Sequence, residues 1–227
     1  MLPLLRADLL RAVDGLVHGF TADRSLTFTA DAADPAWATL AAREEIPPRF
    51  ALVRQVHGRA VHRVSAPGLA GDGDALITDE VGLFLAIRVA DCVPILLLGE
   101  DHEIAAVHSG WRGTAAGIVP ATVAAMRTRP RAAVIGPCIS VEQYEVGEEV
   151  ISGVAASGVP TDVFVRRDLG PRPHADLKAA VAWQLHRCGI TAVSTLPHCS
   201  VSDPRLHSYR RDRGDSGRMA AFIGWRR

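Results

Sequence analysis

The chain has 227 residues, enough to bury an apolar core as one large domain without disulfides or a structural metal. Its 25 basic and 25 acidic residues cancel, so the chain as a whole lacks the electrostatic footprint of a protein that binds nucleic acid or an anionic membrane, and a small or neutral partner is expected. Four scattered cysteines without a C-x-x-C pair argue for reduced thiols, and charges at Arg6 and Asp8, then at Arg88 and Asp91, interrupt every run apolar enough for a signal peptide or membrane span, so a cytoplasmic protein is expected.

No repeat or linker divides the chain, and residues 1–227 read as one domain. FALVRQVH (50–57) and AVHRV (60–64) read as short strands on either side of a Gly58 turn. GDGDALITD adds a turn and another strand, which predicts a hairpin or meander. GLFLAIRV, PILLLG and EIAAVH are apolar on both faces, as central strands covered by helices on each side would be. From Gly113 onward Ile118, Val119, Val123 and Met126 recur at helical spacing, with Pro120 marking a first turn. AAVIGPCI predicts a buried strand. VGEEVISGVAAS and ADLKAAVAWQLHRCG predict amphipathic helices, the second running from near Asp176 to Gly189, and ITAVSTL and RMAAFIGW predict closing strands. Hairpins mixed with strand-helix units predict an α+β fold of mixed β-sheets flanked by helices.

Several strands end in reactive side chains. His57, Cys92 and His108 would give zinc three protein ligands and leave the fourth position open, as in catalytic sites. Spacing does not establish this set, because ligands drawn from three strands have no fixed interval. A cysteine hydrolase stays open beside it, with Cys92 as nucleophile and Asp91, His57 and His108 supplying base and orienting group. Alternation along 54–57 puts Gln55 and His57 on one face, making Gln55 the candidate to face a metal pocket. Cys138, Cys188, Cys199 and His186 read as structural, and His62, His102 and His174 as surface residues. In HSGWRGTAAG the glycines and the helix start favour an anion, to which Arg112 could add a bidentate fork. Arg54, Arg210 and Arg211 are further candidates, whereas Arg213 and Arg218 read as surface charges paired with Asp212 or Asp215.

The ordered set RQVHG, DALIT, ADCVPILL, AVHSGWRGTAAGIV, GPCIS, YEVG and SYRRD…SGRMAAFI, running within His18 to Ile223, resembles the bacterial laccase-domain family. That family was once described as polyphenol oxidases and is now treated as purine nucleoside phosphorylases. The resemblance implies a layered sandwich of the cytotoxic-necrotizing-factor type, with His57, Cys92 and His108 binding the metal: zinc, or copper as the alternative. It implies a transferase that cleaves adenosine, inosine and methylthioadenosine with phosphate to give free base and ribose 1-phosphate. It also implies a hydrolase activity, deamination of adenosine, for which zinc suits the activation of water. Cys92 and Gln55 would then be catalytic. Arg54, Arg112 and one of Arg210 or Arg211, assisted by Ser109, would cradle phosphate. A monomer or small homo-oligomer is expected.

Two departures from the family pattern bear on the pocket. The segment after HGFT is shorter and lacks the usual double glycine, and His207 stands where a phenylalanine is usual before Ser-Tyr-Arg-Arg. A true multicopper oxidase would need many more paired histidines than the nine here, none of which forms an H-x-H pair. A non-catalytic zinc- or nucleoside-binding protein is the remaining alternative.

Overall fold

The computed structural model describes residues 4–226. The amino-terminal part contains β1 (Leu4–Leu5), α1 (Asp8–Arg11), β2 (Leu16–Thr21) and α2 (Pro35–Glu44). The strands β3 (Phe50–Arg54), β4 (Val61–Arg63), β5 (Gly68–Asp72), β6 (Ala75–Thr78), β7 (Phe84–Val89), β8 (Val93–Leu98) and β9 (Ile104–Ser109) follow. Helices α3 (Trp111–Ala116) and α4 (Ile118–Ala125) lead to β10 (Ala132–Ile135), α5 (Glu148–Ala156) and α6 (Thr161–Phe164). The chain closes with β11 (Val165–Arg166), β12 (His174–Ala175), α7 (Leu177–Arg187), β13 (Val193–Thr195) and β14 (Met219–Trp225).

Two six-stranded mixed sheets stack face to face, the first in the order β1-β2-β14-β7-β3-β5 and the second in the order β13-β10-β8-β9-β6-β4. Alternating residues explain the stacking. On β7, Leu85, Ile87 and Val89 point between the sheets to meet Leu96, Leu98, Ile104 and Ala106, while Phe84 and Ala86 point outward to Trp37 and Leu40 of α2. On the second sheet Val93, Ile95, Leu97, Ala105 and Val107 face Val150 and Val154 of α5 and Ala180 and Val181 of α7. The layers therefore run helix, sheet, sheet, helix.

The predicted class, mixed sheets flanked by helices, is what the structure has, but three local expectations are corrected. The 50–64 region is no hairpin: β3 belongs to the first sheet, parallel to β5 and β7, and β4 to the second, parallel to β6. The strands apolar on both faces are covered by helices on one side only, because the other sheet covers the second face. The helix expected from Gly113 begins earlier, at Trp111, and is two helices, broken by Gly117 in the left-handed region at φ 76°. The predicted helix from near Asp176 starts at Leu177, with Asp176 capping it through Ala179 N–H at 2.9 Å.

Candidate metal centre and its cavity

The chain passes from the first sheet to the second three times, at residues 55–60, 73–74 and 90–92, and each crossing carries a side chain of the site. His57, in the first, adopts the left-handed conformation at φ 60°. Asp74 holds it there: its buried carboxylate accepts from the N–H groups of His57 at 3.0 Å and Gly58 at 2.7 Å, with Val56 at 3.3 Å. The same carboxylate accepts from His108 Nδ1 at 2.8 Å, and the His108 N–H donates to the Asp74 carbonyl at 2.7 Å. With Nδ1–H committed to a carboxylate, Nε2 is the nitrogen left to ligate a metal once it gives up its proton, the orientation in which a ligating imidazole is usually held.

Cys92 stands at the third crossing, just ahead of β8. One ligand atom from each of His57, Cys92 and His108 lies within 4.8 Å of the others, and the two imidazoles meet edge to face with centroids 4.9 Å apart. Burial opposes ionisation of the Cys92 thiol, but His108 and His57 beside it outweigh that and bring its pKa down to about 6. Burial likewise disfavours the His108 imidazolium, and the Cys92 thiolate and Asp74 overcome it, raising its pKa to about 9. Soft sulfur plus two imidazoles, one oriented by a carboxylate, fits zinc or copper, and His57 and Cys92 of this set face the cavity.

That cavity, of about 440 Å³, is lined by His57, Asp91, Cys92, Gly110, Trp111, Arg112, Ile139, Tyr144, Leu177, Tyr209, Arg210 and Arg218, together with Ala90. It is the size of a small-molecule site. Three arginines on its wall lie against aromatic rings: Arg112 over Trp111 at 4.4 Å, Arg210 over Tyr144 at 5.4 Å and Arg218 over Tyr209 at 6.0 Å. Among the described residues none of the three is paired with a carboxylate, although many other arginines of the chain are, Arg54 with Asp72 and Arg167 with Glu148 among them. The one acid on the wall, Asp91, is occupied in holding loops together: it accepts from Ser200 Oγ at 2.5 Å and from the Arg210 N–H at 2.8 Å.

The other residues picked out from the sequence fall into two groups. Arg112 and Arg210 line the cavity with the metal group. Gln55 does not: its amide donates to the Arg88 carbonyl at 2.7 Å and accepts the Arg88 N–H at 2.9 Å, so strand alternation misplaced it. β3 ends at Arg54, and Gln55 extends the sheet contact through its side chain. Arg54 is exposed and bound to Asp72. Ser109 is buried, its hydroxyl 2.8 Å from Thr114 Oγ1. Arg211 spends its guanidinium on Asp212 and on the carbonyls of Ser200, Val201, Asp203 and Leu206, clamping that loop. Arg218, read from the sequence as a surface ion pair, is instead on the cavity wall. His174, expected on the surface, is buried in β12. Sequence reasoning misses Asp74, because an acid in GDGD carries the signal of a turn and not of a buried carboxylate with partners.

Residues 29–226 match the family model described as multi-copper polyphenol oxidoreductase laccase. The chain is 42% identical over 181 residues to a protein of Deinococcus radiodurans named purine nucleoside phosphorylase, covering 77% of this chain and 70% of that one. It is 41% identical over 196 residues to a protein of the same name from Xylella fastidiosa strain 9a5c, covering 76% of this chain and 71% of that one. Its fold superposes on the crystal structure of YlmD from Geobacillus stearothermophilus with a TM-score of 0.86 at 29% identity, over 99% of this chain and 96% of that one. Matched along most of its length and sharing the fold, the chain belongs to this laccase-like family, whose curated relatives carry the name purine nucleoside phosphorylase.

Proposed function

We propose that the protein is a metal-dependent purine nucleoside phosphorylase, cleaving adenosine, inosine and methylthioadenosine with phosphate to free base and ribose 1-phosphate, with adenosine deamination as a second activity. The observation that carries this reading is a cavity with three carboxylate-free arginines and a His-Cys-His group on one wall system. The arginines supply positive charge for a dianionic co-substrate, and Trp111, Tyr144 and Tyr209 supply apolar faces for a base. The relatives' name adds support for the substrate class.

His57, Cys92 and His108 would hold the ion, zinc by donor preference with copper as the alternative. When bound, the metal supplies Lewis acidity inside the cavity. Asp74 keeps both histidines in register, and Cys92 contributes its sulfur as a ligand; Gln55 has no place in the proposal, its amide being taken up by Arg88. Arg112 and Arg210 bind and orient substrate from the wall. A cysteine hydrolase would need only one imidazole at the thiol. Here two converge on it, which favours the ligand role over the nucleophile role.

The test incubates zinc-loaded protein with each of the three nucleosides, with and without phosphate, and follows base, ribose 1-phosphate and inosine. Phosphate-dependent base release by the wild type and its loss in Cys92→Ala, with the fold intact by circular dichroism, is the expected result. Free ribose as the sugar product, or turnover retained by Cys92→Ala, would refute the reading.

A further inference from the structure

Arg88 of β7 pairs with Ala220 of β14, and Arg218 lies two residues ahead of Ala220. Positions two apart on an extended chain share a face, so Arg218, one residue ahead of β14, is placed diagonally across from Arg88 of β7. Both are half-buried. Burial and the Arg218 charge lower the pKa of Arg88, so each cation feels the other. Among the described residues the Arg88 guanidinium has no hydrogen-bond acceptor and no carboxylate partner. Arg218 gives only Nη1, to the carbonyls of Ser216 at 2.7 Å and Gly217 at 3.0 Å. Its backbone is held on both sides, the N–H donating to Thr27 Oγ1 at 2.9 Å and the carbonyl accepting from Phe28 N–H at 3.2 Å.

Two half-buried guanidiniums side by side repel, and a folded chain that tolerates them without an acid leaves their charge for an external anion. Arg112 and Arg210 lie on aromatic rings as Arg218 does, but neither has a second unpaired arginine diagonal to it across a strand pair. We propose that Arg218 on the cavity wall, with Arg88 beside it, forms the subsite for the phosphate co-substrate, a doubly charged orthophosphate. The assignment rests on the phosphorolytic reading above and narrows the direct phosphate contact, within that positive wall, to this pair. Arg218 would touch the anion through its free guanidinium nitrogens, and Arg88 would add the second charge.

The experiment compares wild type, Arg88→Gln, Arg88→Lys, Arg218→Gln and, as a surface-charge control on α7, Arg187→Gln, all zinc-loaded. It measures KM for phosphate, KM for nucleoside, and orthophosphate binding by calorimetry without nucleoside. Arg218→Gln is expected to weaken phosphate at least roughly tenfold and Arg88→Gln roughly three- to tenfold, with nucleoside KM unchanged within about twofold. Arg88→Lys should recover most of the loss, and Arg187→Gln should behave as wild type. Because removing one of two repelling cations relieves the phosphate-free fold, Arg88→Gln should melt no lower than wild type without phosphate. Phosphate affinity unchanged in both glutamine variants, or phosphate and nucleoside KM rising together, would overturn the assignment. Arginine-dependent orthophosphate binding without cleavage of any nucleoside would keep the subsite and defeat the phosphorylase reading. Cleavage with a phosphate KM indifferent to both arginines would do the reverse.

Discussion

A β-carbon built on Gly110 would stand 2.9 Å from the Cys92 sulfur and 3.1 Å from His57 Cδ2, so no side chain fits there without moving a ligand. Gly110→Ala is therefore expected to fold and to lose most of its zinc affinity in a chelator-competition titration; wild-type affinity would show that the ligands yield more than the packing allows. Asp74 acts on the same pair of histidines through hydrogen bonds. An asparagine there keeps the shape but offers one acceptor oxygen to His108 and to the N–H groups of His57 and Gly58. Asp74→Asn should weaken zinc about 10- to 100-fold, the usual effect of losing a group that orients a ligand. Unchanged zinc binding would reduce Asp74 to a structural role. His57, Cys92 and His108 were legible because each sits in a distinctive motif at a strand end. Asp74 was not, since GDGD reads as turn chemistry and only the folded register shows its carboxylate turned inward.

At the scale of elements, β6, β8, β9, β10 and β14 are readable as continuous apolar runs and α5 and α7 from apolar periodicity. The 50–64 hairpin was misread for a physical reason: the Gly58 turn looks like a tight reversal, yet the left-handed His57 and the Asp74 anchor send the chain across to the other sheet. Short pieces such as β1, β11 and β12 carry two residues each and no periodic signal, and β2 is hidden in the sequence because His18 and Gly19 interrupt its apolar run. His18 makes β2 testable. It is 2% exposed and accepts the Ala7 N–H on Nε2 at 3.2 Å; burial, with Arg6 and Arg11 nearby, lowers its pKa from 6.5 to about 4. Between those two values the unfolded chain takes up a proton that the folded chain refuses, so stability falls as pH drops from about 6.5 towards 4. The loss attributable to His18 is on the order of 3 kcal/mol. Denaturant melts at pH 7 and pH 5 should show His18→Gln losing less stability than wild type over this window; equal losses would exclude His18 as the source.

Across the whole molecule, stacking two mixed sheets forces three crossings along one edge of the sandwich, and the site is assembled from those crossings and the adjoining end of β9. A net charge of zero hides an uneven distribution: acids neutralise arginines over much of the surface, while Arg112, Arg210 and Arg218 stay without carboxylates around one cavity. Composition gives no overall electrostatic footprint and could not show this local excess, which exists only once distant strands are paired. No described helix is long and apolar enough to cross a membrane. The most direct test of the central claim is X-ray absorption at the metal edge of the zinc-loaded chain. The account predicts one zinc per chain with one sulfur at about 2.3 Å and two imidazole nitrogens at about 2.0 Å. A first shell without sulfur, or with fewer than two imidazoles, would contradict it.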